Sequence, residues 1–179
     1  MENTSLKTAI FAGGCFWCTE AIYQDLKGVH AVVSGYTAGH VANPTYKEVC
    51  SGTTGHTEGI KITYDPAVIT YDQLLDIFFT THDPTTLNRQ GNDVGTQYRS
   101  GVYYATEEEK DKAKAAITRA QELYPNPIVT EVEPLEIFYE AEDYHQNYFN
   151  EHGNQPYCAF VINPKVSKFR KQYADMLKS

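Results

Sequence analysis

The segment LKTAIFAGGCFWCTEAIYQDLKG, Leu6 to Gly28, carries the first decision about the fold. Leu6 to Ala12 is an apolar run short enough for a buried strand, and Gly13-Gly14 stops it. From Cys15 the pattern changes period: Phe16, Ala21, Ile22, Tyr23 and Leu26 form one side of a helix that ends at Gly28. A strand, a glycine turn, a cysteine and a helix therefore follow one another without a spacer. The unpaired first amides of the helix and the positive end of its dipole both favour a thiolate at Cys15. The glycines permit a sharp turn and a close approach of substrate to backbone. The same residues also fit an inert buried thiol beside a tight turn.

Outward from this segment, Val29 to Tyr36 reads as a second strand and Thr37 to His56 as a long loop rich in Gly and Thr. Thr57 to Tyr64 alternates, with Glu58, Ile60, Ile62 and Tyr64 on one face. Thr70 and Gln73 form a capping-box signature ahead of Leu74, Leu75, Ile77 and Phe78, and Pro84 lies beyond that helix. Ser100 to Ala105 reads as a strand. Thr106 with Glu109 opens a helix that ends before Pro125. Ile128 to Val132 reads as a fifth strand and Glu140 to Glu151 as a helix. A last helix opens at Asn163-Pro164, with Val166, Phe169, Tyr173 and Leu177 inward. The first six elements run β-α-β-β-α-β, which predicts an α+β fold: a ferredoxin-like two-layer sandwich with C-terminal extensions. With 179 residues and no shift in composition, one domain over 1–179 is expected.

The formal net charge of −8 argues against nucleic acid as a partner. No signal peptide or long apolar run is readable, so a cytoplasmic protein without membrane contact is expected, as a monomer. The four cysteines, Cys15, Cys18, Cys50 and Cys158, then read as thiols rather than structural bridges. Cys18 lies one turn after Cys15, so the pair could cycle as a dithiol. Zinc would need further ligands of suitable spacing, and no His pair supplies them; neither metal nor cofactor is expected. Phe16 and Trp17 are either core or the walls of a pocket for an apolar group brought to the sulfur. Glu58 is either a carboxylate in water at a strand end or a buried acid able to donate a proton. Tyr46, Asp93 and Tyr98 are polar loop residues able to orient a substrate oxygen. Cys158 sits in a loop, as suits a thiol that travels to an oxidised partner, whereas Cys50 reads as structural. Three other functions are compatible with parts of this pattern: a disulfide oxidoreductase using Cys15 and Cys18, a Cys–His hydrolase with His56, and a binding module.

Taken together, GGCFWC, VSGYTAGH, NPTYKEVCSGTTGHTEG, DVGTQYRS, FYEAEDYHQNYF and PYC make the chain resemble the A-type peptide methionine sulfoxide reductases from Ile10 to about Arg170. The resemblance implies a ferredoxin-like α+β domain with Cys15 as nucleophile. It implies that Phe16 and Trp17 hold the substrate methyl group, that Glu58 is the acid, and that Tyr46, Asp93 and Tyr98 are supporting polar residues. It also implies selectivity for the S epimer of the sulfoxide and recycling by thioredoxin. The position of Cys18 is commonly glycine in that family, with cysteine in some members. Cys158 matches one known place of the resolving cysteine, so Cys158 and Cys18 are both candidates and Cys158 is favoured.

Overall fold

The structure, a computed structural model, describes residues 6–14, 16–90, 93–135, 137–142, 145–146 and 163–177. Its centre is a six-stranded sheet in the order β7-β6-β1-β3-β2-β8, with helices in contact with it. The strands are β1 (Lys7–Gly13), β2 (Val29–Thr37), β3 (Thr57–Tyr64), β6 (Ser100–Tyr104), β7 (Glu131–Pro134) and β8 (Phe138–Glu140). A two-stranded hairpin, β4 (Arg89–Gln90) with β5 (Asp93–Val94), stands apart. All pairings in the large sheet are antiparallel except β6 with β7. The helices are α1 (Phe16–Gln24), α2 (Tyr46–Cys50), α3 (Tyr71–Thr81), α4 (Glu107–Gln121) and a C-terminal helix (Asn163–Gln172).

Alternation along β1 divides the two sides of the sheet. Ala9 and Phe11 join the main core with Ile60, Ile62, Tyr64 and Val102 and the apolar faces of α1, α3 and α4. Ile10 and Ala12 lie in a smaller cluster with Tyr103, against Leu135 and Phe138. The N-caps read from sequence are present. Thr70 accepts from the amide of Gln73, whose side chain accepts from the amide of Thr70; Thr106 accepts from the amide of Glu109.

Four expectations need correction. Leu6 is exposed, and so are Lys7 and Thr8, so only the second half of the first strand is buried. The Thr37–His56 segment is not all loop: it contains α2, closed by a capping box between Thr45 and Glu48. The fifth strand starts at Glu131, because the amides of Ile128 and Val129 go to Gln121 Oε1 and the carbonyl of Pro84 instead of the sheet. The helix expected from Glu140 does not start there, since Glu140 ends β8. Most of the remaining stretch to Glu151 lies outside the described residues.

Candidate active site

The site is built where β1 ends and α1 begins. Gly14 has φ 93°, a conformation that favours glycine, and turns the chain sharply between the two elements. Cys15 lies outside the described residues, but both its chain neighbours are described. Phe16, the first residue of α1, is fully buried, and its amide donates to Oε1 of Glu58 at 3.2 Å. Glu58 comes from β3, opposite Tyr36 of β2, and is 1% exposed. A buried carboxyl therefore meets the peptide group that directly follows Cys15. Of the two sequence readings of Glu58, the one in water is excluded.

Aromatic rings pack around this point. Phe16 lies 5.6 Å from Tyr36, 6.3 Å from Tyr46 and 5.2 Å from His145, between ring centroids. Trp17, half-buried, stands 6.3 Å from Tyr46 and 5.6 Å from His145. Its indole N–H donates to Nδ1 of His145 at 3.1 Å. An indole only donates, so this nitrogen of His145 carries no proton. Burial pushes the pKa of His145 below its ordinary value, against the opposing pull of Glu142, which keeps the imidazole in the accepting, neutral form.

Glu142 holds two of the tyrosines. Its Oε1 accepts from the Tyr36 hydroxyl at 2.9 Å and its Oε2 from the Tyr46 amide at 3.0 Å. Burial alone would raise its pKa. The donations from the Tyr46 amide, its own amide and the Tyr36 hydroxyl, with the nearby His145, outweigh that and hold it below the ordinary value. Glu142 is therefore an anionic clasp at neutral pH.

Tyr46 is the first residue of α2. Its pKa is raised by burial, then by Glu58, by a side-chain hydrogen bond with Cys50 and by Tyr98, so the hydroxyl keeps its proton. Tyr98 ends a single tight helical turn, Thr96–Tyr98. Thr57 Oγ1, next to Glu58, donates to the carbonyls of Gln97 and Arg99 at 3.0 and 3.2 Å. Gln97 in turn donates to the carbonyl of Cys50 at 3.4 Å. Arg99 bonds the carbonyls of Thr96, Ala38 and Gly55 and pairs with Glu131 at 3.1 Å. The carriers of Tyr46, Glu58 and Tyr98 are thus tied to one another through backbone.

This arrangement gathers flat aromatic rings, a buried carboxyl and a protonated phenol around the start of α1. The sequence itself matches the family described as peptide methionine sulfoxide reductase over residues 7–177. The chain belongs to that family. The peptide methionine sulfoxide reductase MsrA of Paenarthrobacter aurescens is 57% identical over 172 residues, covering 96% of this chain and 99% of the relative. Among solved structures, Mxr1 from Saccharomyces cerevisiae in reduced form aligns with a TM-score of 0.82 at 36% identity, covering 88% of this chain and 91% of that one. Mxr1 in complex with Trx2 aligns with a TM-score of 0.59 at 26% identity, covering 82% and 87%.

Within this reductase family member, the structure brings together Phe16, Trp17, Tyr46 and Glu58, and ties in the turn that carries Tyr98. Asp93 lies on the hairpin, opposite Gln90. Cys18 is buried on α1, 4% exposed. Cys158 lies outside the described residues. Glu142, His145 and Cys50 stand at the site without having been assigned to it from the sequence. Glu142 and His145 follow a three-residue strand and show no periodicity, though the run AEDYHQ places an acid and a histidine one turn apart. Cys50, read as structural, ends α2 within hydrogen-bond reach of Tyr46. His56, the base of the hydrolase alternative, is committed elsewhere. Its Nδ1 accepts from the Gly39 amide at 3.0 Å, so Nε2 carries the proton and donates to the carbonyl of Val41 at 2.6 Å. Among the described residues no group of three or more His, Cys, Asp or Glu could hold a metal ion. No helix among them is long and apolar enough to cross a membrane.

Proposed function

We propose that this chain reduces methionine S-sulfoxide, free or within proteins, to methionine. The observation that carries this reading is the buried Glu58 carboxyl bonded to the amide of Phe16, one residue past Cys15. The Cys15 thiolate attacks the sulfoxide sulfur. Glu58, whose burial disfavours the charged form, gives its proton to the sulfoxide oxygen as that oxygen gains charge. The hydroxyls of Tyr46 and Tyr98 donate to the same oxygen, and Asp93 helps orient the polar side of the substrate. Phe16 and Trp17 hold the S-methyl group by apolar contact, which fixes one epimer when acid and methyl pocket lie on different sides of the sulfur.

Methionine leaves with its sulfur reduced, and the oxygen stays on Cys15 as a sulfenic acid. A second thiol attacks that sulfur, forming a disulfide and releasing water. Cys158 is favoured for this step and Cys18 is its rival or relay; the burial of Cys18 counts against direct attack. A dithiol protein, thioredoxin, returns the disulfide to two thiols, a reading supported by the solved complex of Mxr1 with Trx2. The order β6-β1-β3-β2 of the four central strands likewise supports a ferredoxin-like core, carrying β7, β8 and the C-terminal helix as extensions.

The test is methionine formation from its sulfoxide with dithiothreitol as reductant. Cys15→Ser is expected to abolish it. Turnover by that variant would overturn the assignment of the nucleophile. Thiol counts after one turnover in Cys158→Ser and Cys18→Ser separate the two resolving candidates.

A further inference from the structure

The Gly13–Gly14 turn is gripped by side chains that the proposed reaction does not use. A Cβ on Gly14 would lie 2.6 Å from Cγ and 2.7 Å from Cβ of Gln90, so the stem of Gln90 rests on the Gly14 backbone. A Cβ on Gly13 would lie 3.0 Å from Phe78 Cε1 and 3.3 Å from His82 Cγ. Gln90 is buried, and its amide is used at both ends on a single residue. Oε1 accepts from the Asp83 amide at 2.8 Å and Nε2 donates to the Asp83 carbonyl at 2.9 Å. The side chain cannot rotate without losing both bonds. His82, the residue before, is fixed in the same way between the carbonyl of Phe78 at 2.6 Å and Ser100 Oγ at 2.8 Å.

Two consecutive glycines give the turn its shape but no stiffness of their own, since each has wide conformational freedom. The stiffness has to come from outside. We propose that Gln90 is a positioning residue: it pins the Gly14 backbone on one side of the nucleophile, while Glu58 holds the Phe16 amide on the other. The proposal rests on the reading of Cys15 as nucleophile. A filler of similar size would occupy the space but would leave the Asp83 amide and carbonyl without their partner, so the glutamine serves both as wedge and as anchor.

The experiment uses the full chain with Cys18, Cys50 and Cys158 changed to Ser, which leaves Cys15 as the one thiol. Gln90→Ala and Gln90→Met are compared with this parent in steady-state reduction of methionine sulfoxide with dithiothreitol. The rate of Cys15 alkylation by iodoacetamide is followed against pH. Displacement of a reacting atom by about 1 Å costs about 100-fold, so Gln90→Ala is expected to lower kcat by about that factor with KM within about twofold. Its alkylation midpoint moves upward by about half a pH unit or more, toward that of an unassisted thiol. Gln90→Met, which keeps the stem, falls between. A kcat within about twofold of the parent, or an alkylation profile that superimposes on it, overturns the proposal even where thermal stability has dropped. If Gln90→Ala does not fold, Gln90→Met decides by the same two readouts. A parent that makes no methionine sinks the reductase reading, and the alkylation comparison still decides whether Gln90 positions Cys15.

Discussion

Helices α3 and α1 start in different ways. The first amides of α3 are satisfied by Thr70 and Gln73, three residues apart in the chain. The first amide of α1 is satisfied by Glu58, from a strand 42 residues away. The local cap trades a side-chain hydroxyl for stability and nothing more. The distant one brings a carboxyl out of water to the head of a helix, at a cost in desolvation that a neutral hydroxyl would not incur. Under the proposed function, the helix start that draws its partner from so far is the one beside the nucleophile.

The comparison breaks most sharply at Glu58. Glu58→Gln keeps an oxygen for the Phe16 amide but has no acidic proton. It is expected to fold with an unchanged thermal midpoint and to lose about 100-fold or more in kcat at neutral pH. An unchanged rate would reduce Glu58 to a cap like Thr70.

The other end of α3 supplies the next largest effect. His82 is its C-cap, and burial pushes its pKa down to about 4 from an ordinary 6.5, with Lys165 assisting and the Phe78 carbonyl and Asp83 opposing. The unfolded chain therefore binds this proton first. The stabilisation by neutral His82 is complete above about pH 6.5 and is lost as pH falls through about 4, amounting to about 3 kcal/mol. Urea midpoints measured across this range should fall with acid in the parent and fall less in His82→Gln. Parallel slopes would remove His82 as the origin.

A smaller effect is expected at His145. Replacement by Phe leaves the Trp17 indole without its acceptor, which costs about 1 kcal/mol and raises KM for the sulfoxide about fivefold with little change in kcat. Trp17 is the one tryptophan in the sequence, so its emission reports the change directly. The parent's emission should also shift on acidification with a midpoint below the ordinary histidine value, as burial lowers the pKa of His145. Emission identical in parent and variant would contradict the role.

The smallest effect is at Thr70. Thr70→Ala is expected to cost about 1 kcal/mol of stability and to leave kcat within about twofold. A large loss of activity there would dissolve the distinction between the two helix starts.

Much of this frame was legible in the sequence because it rests on local signals. The capping residues Thr70 and Thr106, the period-two run of β3 and the glycine stop after β1 each carry their meaning within a few residues. Helix α2 was missed because five residues are too few to show a period, although Thr45 and Glu48 stand at capping-box spacing. The face of Glu58 was legible, but its burial was not: that depends on β2 and α1 closing over it. Glu142 and His145 gave no periodic signal, because they act on Tyr36, Tyr46 and Trp17 across about a hundred residues or more of chain.

The bond between Trp17 and His145 spans 128 residues. During synthesis the Gly-Gly-Cys turn is made early, and the partner that steadies the tryptophan follows it by well over a hundred residues. Under the proposed function, the nascent chain thus carries its nucleophile long before Trp17 has its acceptor, and recognition of a substrate has to wait until His145 has been added.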